Sequence, residues 1–410
     1  MAGYRFLEGV RVIEVAQLGP ASLGGYLADM GAEVIKVEGR DGDPLRHSGT
    51  PAAGTPEGVS LLHLRWNRGK QSLGLDLQHP EDAELFRRLV AQADVVIEGM
   101  RAGYLDSLGL GYEPLSALNP RLVYCSLSGL GRDGPYHRLG SHGPSFDAFG
   151  ALSGLNPSAL SPEERRQTDW APVGMHAMGL NAALGVLAAL WQAQRSGQGA
   201  LIEVTGAESA AHWLPEGVNT VLNAGLLHPR PGFTNSRGKM ARWPRLCRYD
   251  TADGRGLFFQ ALAPKFWERF CQAVARPDLL EKYAAGGDTA QADEEVHDLL
   301  RELFRTRRRD EWIALFLQHG VPGGPANDLQ DLAQDPHFLA RGNLYESEHP
   351  GIGRLRLTGT PVKTPGQDFA PAPAPALGEH SFDVLQRIGL DVAECERLRA
   401  SGAVLPPQAS

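Results

Sequence analysis

Cysteine is scarce in this chain, with four residues in 410. Cys125, Cys247, Cys271 and Cys395 lie far apart and form no C-x-x-C pair, which argues against a disulfide framework or a zinc knuckle and predicts reduced, buried thiols. Basic residues are outnumbered by acidic ones, 40 to 48. A net charge of -8 works against non-specific nucleic-acid binding, which needs a basic surface to displace counterions from phosphates. Long apolar runs are also missing: no segment approaches the roughly 20 residues that cross a bilayer, and the Ala-rich stretch from Leu180 to Leu190 reads as a buried helix. The opening MAGYRFLEGVRVIEVAQ has no basic leader, apolar block and small-residue cleavage site, so cytoplasm is the expected compartment and no membrane partner is expected.

Several catalytic signatures are absent as well. There is no G-x-S-x-G elbow, no H-E-x-x-H and no His/carboxylate cluster at metal-ligand spacing, which removes common hydrolase and metalloenzyme readings. The N-terminal strand, turn and helix invite a dinucleotide site, with Glu38 where a ribose-binding acid would sit. That fingerprint needs G-x-G-x-x-G, and the chain offers Gly19-Pro20-Ala21-Ser22-Leu23-Gly24.

What the chain does have is alternation. Arg11 to Ala16 (RVIEVA), Glu33 to Glu38 (EVIKVE), Asp94 to Glu98 (DVVIE) and Leu122 to Leu127 (LVYCSL) read as strands, and Ser22 to Met30 and Pro80 to Ala93 as helices. This order predicts an α/β fold, a parallel sheet covered by helices, with ligands gathering at the carboxyl ends of the strands. A helix from Ala177 to Ala193 and a strand from Ala200 to Thr205 follow. The texture then changes to a strand pair around Thr251 to Gly254 and helices through Phe266–Val274 and Asp310–His319. These features divide the chain into a large Rossmann-like domain over 1–225, a small domain over 226–335, and a return segment over 336–410. The return segment carries an extended APAPAPA linker at Ala370 to Ala376 and a helix from Ser381 to Ile388.

Three turns pair glycine with a cation: Gly42-Asp43-Pro44-Leu45-Arg46, Asn67-Arg68-Gly69-Lys70, and Gly129-Leu130-Gly131-Arg132. Backbone N–H groups at such turns, with a neighbouring guanidinium or ammonium, suit phosphate. Taken singly, each also reads as a solvated loop charge. Together with VIEVAQLGP, LADMGAEVIKVE, GDPLR, NRGKQSLGLDL, ADVVIEGMRAG, LGVLAALWQAQRSGQG, TRRRDEW and GVPGGPANDL, in that order across essentially the whole chain, they make it resemble the family III CoA-transferases and their racemase relatives.

The resemblance implies a Rossmann-like large domain, a smaller α+β domain, two chains interlocked like rings, and coenzyme A as a substrate with no further cofactor. Carried over by position, Gln17, Leu18, Arg40, the segment Asn67, Arg68, Gly69 and Lys70, then Gly99, Met100 and Arg101, and Gly143, Pro144 and Ser145 fall on CoA-binding segments. Arg40 and Lys70 are expected at the adenosine phosphates and the backbone around Met100 along the pantetheine path. Ser107 replaces a frequent basic residue and removes one phosphate contact.

In such transferases an aspartate attacks the thioester, forms a mixed anhydride, and is released by the CoA thiolate. Its place, ten positions before Gly185, holds Met175. A thioether cannot form an acyl anhydride, so ordinary covalent catalysis at this position is excluded. Asp169 is the fallback carboxylate, and His176 reads better as a core or surface histidine than as a base. The racemase branch needs a histidine, an aspartate and a glutamate where this chain has Ser145, Gly174 or Met175, and Ala263, with His142 displaced, so racemization is disfavoured.

The leading expectation is therefore the aspartate-lacking subunit of a heteromeric CoA-transferase, resembling that of succinyl-CoA:benzylsuccinate CoA-transferase. A self-sufficient transferase using Asp169 and a non-catalytic acyl-CoA-binding homo-oligomer are the alternatives. Specificity is expected from Pro231 to Pro244 and around Trp213.

Overall fold

The computed structural model describes residues 3–52, 58–152, 172–213, 215–226, 243–283, 290–401 and 404. Asp169 and residues 231–242 lie outside them. The chain divides into two compact units, Met1–Leu227 with Asn343–Ser410, and His228–Gly342.

In the larger unit six strands form one parallel sheet: β1 (Arg11–Ala16), β2 (Glu33–Glu38), β3 (Gln71–Gly74), β4 (Val95–Gly99), β5 (Val123–Ser128) and β6 (Ala200–Thr205), in the order β3-β2-β1-β4-β5-β6. Alternating side chains give each face its own core. Ile13, Val15, Ile35, Val37 and Val96 pack under Phe86, Leu89, Val384 and Leu385 on one face. Val12, Val34, Val95, Ile97 and Cys125 pack under Leu23, Leu27, Met178, Ala182 and Val186 on the other. Helices α1 (Ala21–Asp29), α2 (Leu61–Asn67), α3 (Gly143–Phe149), α4 (Val173–Ser196) and α5 (Gly206–His212) surround the second face and its rim. Strand order reverses between β1 and β4, and in an open α/β sheet that switch point opens a crevice at the strands' carboxyl ends.

Helix α4 corrects one expectation. It runs 24 residues and is long and apolar enough to cross a membrane by length and composition. One face is interior, with Ala177, Met178, Ala182, Val186 and Leu190 buried in the sheet's core. The other leaves Leu180, Leu184, Leu187 and Trp191 at 49%, 70%, 39% and 64% exposure, so the helix is not buried all round. The proline-rich stretch is no free linker either: Gly69 N–H donates to Ala372 O at 2.9 Å and Arg46 Nη1 to Pro375 O at 3.0 Å, pinning it onto the larger unit. The helix Ser381–Arg387 is followed by a second, Val392–Ser401.

The smaller unit is a three-stranded antiparallel sheet, β7 (Leu246–Asp250), β8 (Gly256–Gln260) and β9 (Gly323–Ala326), in the order β7-β8-β9. Its core is aromatic, with Phe259, Trp267, Phe270, Phe304 and Trp312 fully buried. Trp312 Nε1–H donates to Phe304 O at 2.9 Å, so the indole enters this core with its donor satisfied. Cys125, Cys271 and Cys395 are buried free thiols, and Cys247 is half-buried.

Candidate active site

The loops at the carboxyl ends of β1, β4 and β5 enclose a cavity of about 540 Å³. Gln17 to Pro20 follow β1, Gly99 ends β4 with Met100 to Ala102 after it, and Leu127 and Ser128 end β5 with Gly129 to Gly131 after them. His137 to Pro144 close one side, and Met175 and Met178 reach in from α4. Two glycines set the close approaches. A Cβ on Gly19 would lie 2.6 Å from Met175 Sδ, and one on Gly99 would lie 2.7 Å from Ala16 Cβ and closer still to Pro20. Gly99→Ala should therefore cost about 1–3 kcal/mol, the usual scale of overpacking, read as a lower midpoint in urea unfolding with an unchanged slope.

Among the described residues, the cavity wall carries no Asp or Glu. Its polar groups are Gln17, Arg101, Ser128, His137, Arg138, Ser141 and His142. Beside position 175, Asp147 of α3, 1% exposed, accepts the Gly174 N–H through Oδ1 at 2.7 Å. Burial raises its carboxyl above the usual carboxylate value. It holds the first turn of α4 from behind and does not reach the wall. His176 is not on the wall; it packs edge-on against Trp66, which is, with ring centroids 5.5 Å apart, and burial lowers its imidazole.

Of the residues expected to bind CoA, Gln17, Leu18, Gly99, Met100, Arg101, Gly143 and Pro144 line this cavity. Ser145 is exposed beside it, off the wall, and Arg40 is exposed on the loop after β2. The segment Asn67 to Lys70 requires a correction, because its polar ends are buried and already bonded. Lys70 Nζ donates to both Glu14 oxygens at 2.9 and 2.8 Å, to Ala21 O at 2.7 Å and to Asn67 Oδ1 at 2.9 Å. Arg68 forms a two-pronged pair with Asp29 at 2.7 Å on each arm and stacks on Tyr345 and Phe369. Neither reaches a phosphate from there; Lys70 and Arg68 are structural cations. The other two turns behave alike. Arg46 pairs with Glu38 at 2.7 Å, which also disposes of Glu38 as a ribose acid, and Arg132 pairs with Asp106 at 2.6 Å.

Beneath the β1–α1 loop Glu14, Lys36, Glu38, Asp43, Arg46 and Lys70 form one cluster. Glu14 and Lys36 are register partners on β1 and β2, and Lys36 Nζ lies 3.1 Å from Glu14 and 3.0 Å from Asp43. Burial opposes the Lys36 charge, but Glu14 and Asp43 outweigh it and raise its pKa above the ordinary lysine value. Burial pushes Glu38 up, yet Arg46 and Lys36 overcome it and hold the carboxyl at about 2. His63, at the edge of the cluster, is lowered to about 3 by burial and by Arg46.

Both groups have folded values below their unfolded ones, 4.5 for Glu38 and 6.5 for His63. Their contributions are complete above those unfolded values and disappear as pH falls through the folded ones. Glu38 and His63 together should draw unfolding free energy down from about pH 6.5 and more steeply below about 4.5, with Glu38 accounting for about 3 kcal/mol. Asp82, which burial raises to about 6, pulls the other way below that value, so the pair's share is read as the difference between the chain and its Glu38→Gln and His63→Leu variants. Urea titrations at stepped pH measure this, and His63→Leu should flatten the first part of the decline.

Sequence reasoning missed His137, Arg138 and Ser141. Their signal was position, since they follow the glycine-rich end of β5 on the ligand side of a parallel sheet.

Comparison with known proteins agrees with this geometry. The model of CoA-transferase family III matches residues 7–381. The alpha subunit of succinyl-CoA–L-malate CoA-transferase from Chloroflexus aurantiacus is 32% identical over 408 residues, covering 96% of this chain and 91% of that protein. Succinyl-CoA:mesaconate CoA-transferase from Haloarcula marismortui is 33% identical over 399 residues, covering 94% and 97%. The crystal structure of a CAIB/BAIF family protein from Brucella suis superposes with a TM-score of 0.75 at 28% identity, over 94% of this chain and 100% of that one. A doubly wound parallel sheet with its cavity at the β1/β4 switch point, in a chain so matched, belongs to CoA-transferase family III.

Proposed function

We propose that this chain is a subunit of a CoA-transferase that moves coenzyme A between an acyl-CoA such as succinyl-CoA and a free dicarboxylic acid, and that a second family member supplies the nucleophilic carboxylate. The observation that carries the reading is the cavity wall: Met175, at the position that the resemblance assigns to the nucleophile, stands against Gly19 and Gly143, and no carboxylate of the described residues lines the wall. A thioether has no anionic oxygen to acylate, so the covalent step needs an acid from elsewhere. The rest of the cavity suits the ligand. Apolar walls and the backbone around Met100 would take pantetheine, while Arg101, Arg138 and His137 would meet phosphates.

Two features support a partner chain. Curated relatives from Chloroflexus aurantiacus include both an alpha and a beta subunit of one CoA-transferase, 32% and 30% identical to this chain. Leu180, Leu184, Leu187 and Trp191 make an exposed stripe at helical spacing along α4, beginning five residues after Met175, which a partner would cover. A dicarboxylic acceptor follows the relatives' names, which specify L-malate, mesaconate, D-citramalate and glutarate. Benzylsuccinate belongs to the same chemical class. Coenzyme A enters as substrate, and cytoplasm is the compartment proposed.

The test is to assay the purified chain, alone and co-expressed with candidate partners of the family, using succinyl-CoA and a panel of dicarboxylic acids. Turnover only in a mixture is the expected result. Turnover by the chain alone, abolished by Asp169→Ala, overturns it in favour of a self-sufficient enzyme. Coenzyme A binding with no turnover in any mixture makes the chain a binding protein.

A further inference from the structure

The cavity's β1–α1 loop holds a conformation its sequence resists. Leu18 lines the cavity at φ 54, in the left-handed region that L side chains rarely adopt. Outside glycine that conformation is disfavoured by about 5- to 30-fold per residue, so something must hold it. The Leu18 N–H donates to Asp43 Oδ1 at 3.1 Å, and the same oxygen accepts from Leu45 N–H at 2.9 Å. Asp43 is fully buried, and Lys36 Nζ stands 3.0 Å from its other oxygen.

The flanks of the loop are tied into the same charges. Lys36 Nζ donates to Ala16 O at 2.5 Å, and Lys70 Nζ donates to Ala21 O at 2.7 Å. The segment between them is thus anchored before, within and after its strained residue, by groups from β2, from the loop that follows it and from the turn before β3. Met175 packs directly on Gly19, the next residue, so the loop also sets where position 175 stands.

We infer that Asp43 is a positioning residue: charge-paired with Lys36, it holds Leu18 in its left-handed conformation and thereby shapes the wall on which coenzyme A and its acyl group rest. The inference rests on the transferase reading for its ligand, but the tether itself does not. It also gives the Gly42-Asp43-Pro44-Leu45-Arg46 turn a task other than phosphate binding.

The test uses Asp43→Asn in the full chain. Beside the Lys36 ammonium the new amide must present its oxygen to the lysine, which turns NH₂ toward Leu18 N–H and removes the acceptor. Amide exchange at Leu18 should quicken by about tenfold or more while Ile13 and Val96 in the sheet keep their protection. The dissociation constant for coenzyme A, measured by calorimetry, should rise about tenfold. Adding Leu18→Gly should bring that constant to within about threefold of Leu18→Gly alone, because glycine reaches the left-handed region unaided.

Unchanged exchange at Leu18 in Asp43→Asn overturns the inference, and so does weakened binding that glycine fails to rescue, which would mark Asp43 as a general stability residue. If the unaltered chain binds no coenzyme A, the transferase reading falls instead. The exchange comparison then decides the tether by itself. Should Asp43→Asn fail to fold, Asp43→Ser, which removes the long-reaching acceptor with a smaller side chain and no amide to place, is read by the same exchange measurement.

Discussion

Lys70→Met should lower the stability of the chain by about 3–5 kcal/mol, the scale on which a buried ion pair fails when one partner is removed. Lys70 is fully enclosed, its ammonium bonded to Glu14, Ala21 and Asn67, and it shares Glu14 with Lys36. Burial draws it down to about 8, so at neutral pH the ammonium still dominates. Methionine fills the same channel with a similar length of chain. The loss then comes from Glu14 and the Ala21 carbonyl, left with fewer donors in a place water does not reach. Urea unfolding reads the change as a lower midpoint at constant slope. Lys70→Met with Glu14→Gln should recover part of it, because the second change removes the stranded charge. A loss under about 1 kcal/mol would mean that Lys36 alone satisfies Glu14, and the cluster would then be two separate pairs.

This result separates what was legible in the sequence from what was not. The sheet was legible because Ile13, Val15, Ile35 and Val37 alternate with Val12, Glu14, Val34 and Lys36 at the period of a strand, and because parallel strands need helical crossovers. The cavity's place followed from the rule for open α/β sheets, and the family resemblance named Gln17, Leu18, Gly99, Met100 and Arg101, which line its wall. The fate of the cations did not follow. A lysine after a glycine turn looks the same in sequence whether it faces a phosphate or a carboxylate on a distant strand, and Lys70 and Glu14 are 56 residues apart. Asp43 was hidden for another reason: its task depends on the backbone angle at Leu18, which a leucine does not announce. The exposed stripe of α4 was present in the spacing of Leu180, Leu184, Leu187 and Trp191, but in an Ala-rich helix uniform hydrophobicity masks which face is covered.

Met175→Asp should give the isolated chain what the proposed function says it lacks. Aspartate is shorter than methionine, and the space beside Gly19 and Gly143 that the thioether fills would admit a carboxylate with room for a thioester carbonyl. The side chain is only partly buried at the cavity wall, so an ionised oxygen there keeps contact with solvent, and the cost in stability should stay near 1–3 kcal/mol. On mixing with succinyl-CoA the variant should release free thiol and form an acyl-enzyme that hydroxylamine intercepts, with the acyl group traceable to residue 175 by mass. Against Met175→Ala, which opens the same space without a nucleophile, the rate of thiol release should be at least about a thousandfold higher, in keeping with what nucleophile removal costs in other covalent enzymes. Equal rates in the two variants would mean that position 175 does not face the thioester. A chain with Met175 intact that forms the same adduct would place the nucleophile elsewhere in this chain. Either outcome dissolves the need for a partner's carboxylate, because that need follows from sulfur standing where the reacting oxygen is required.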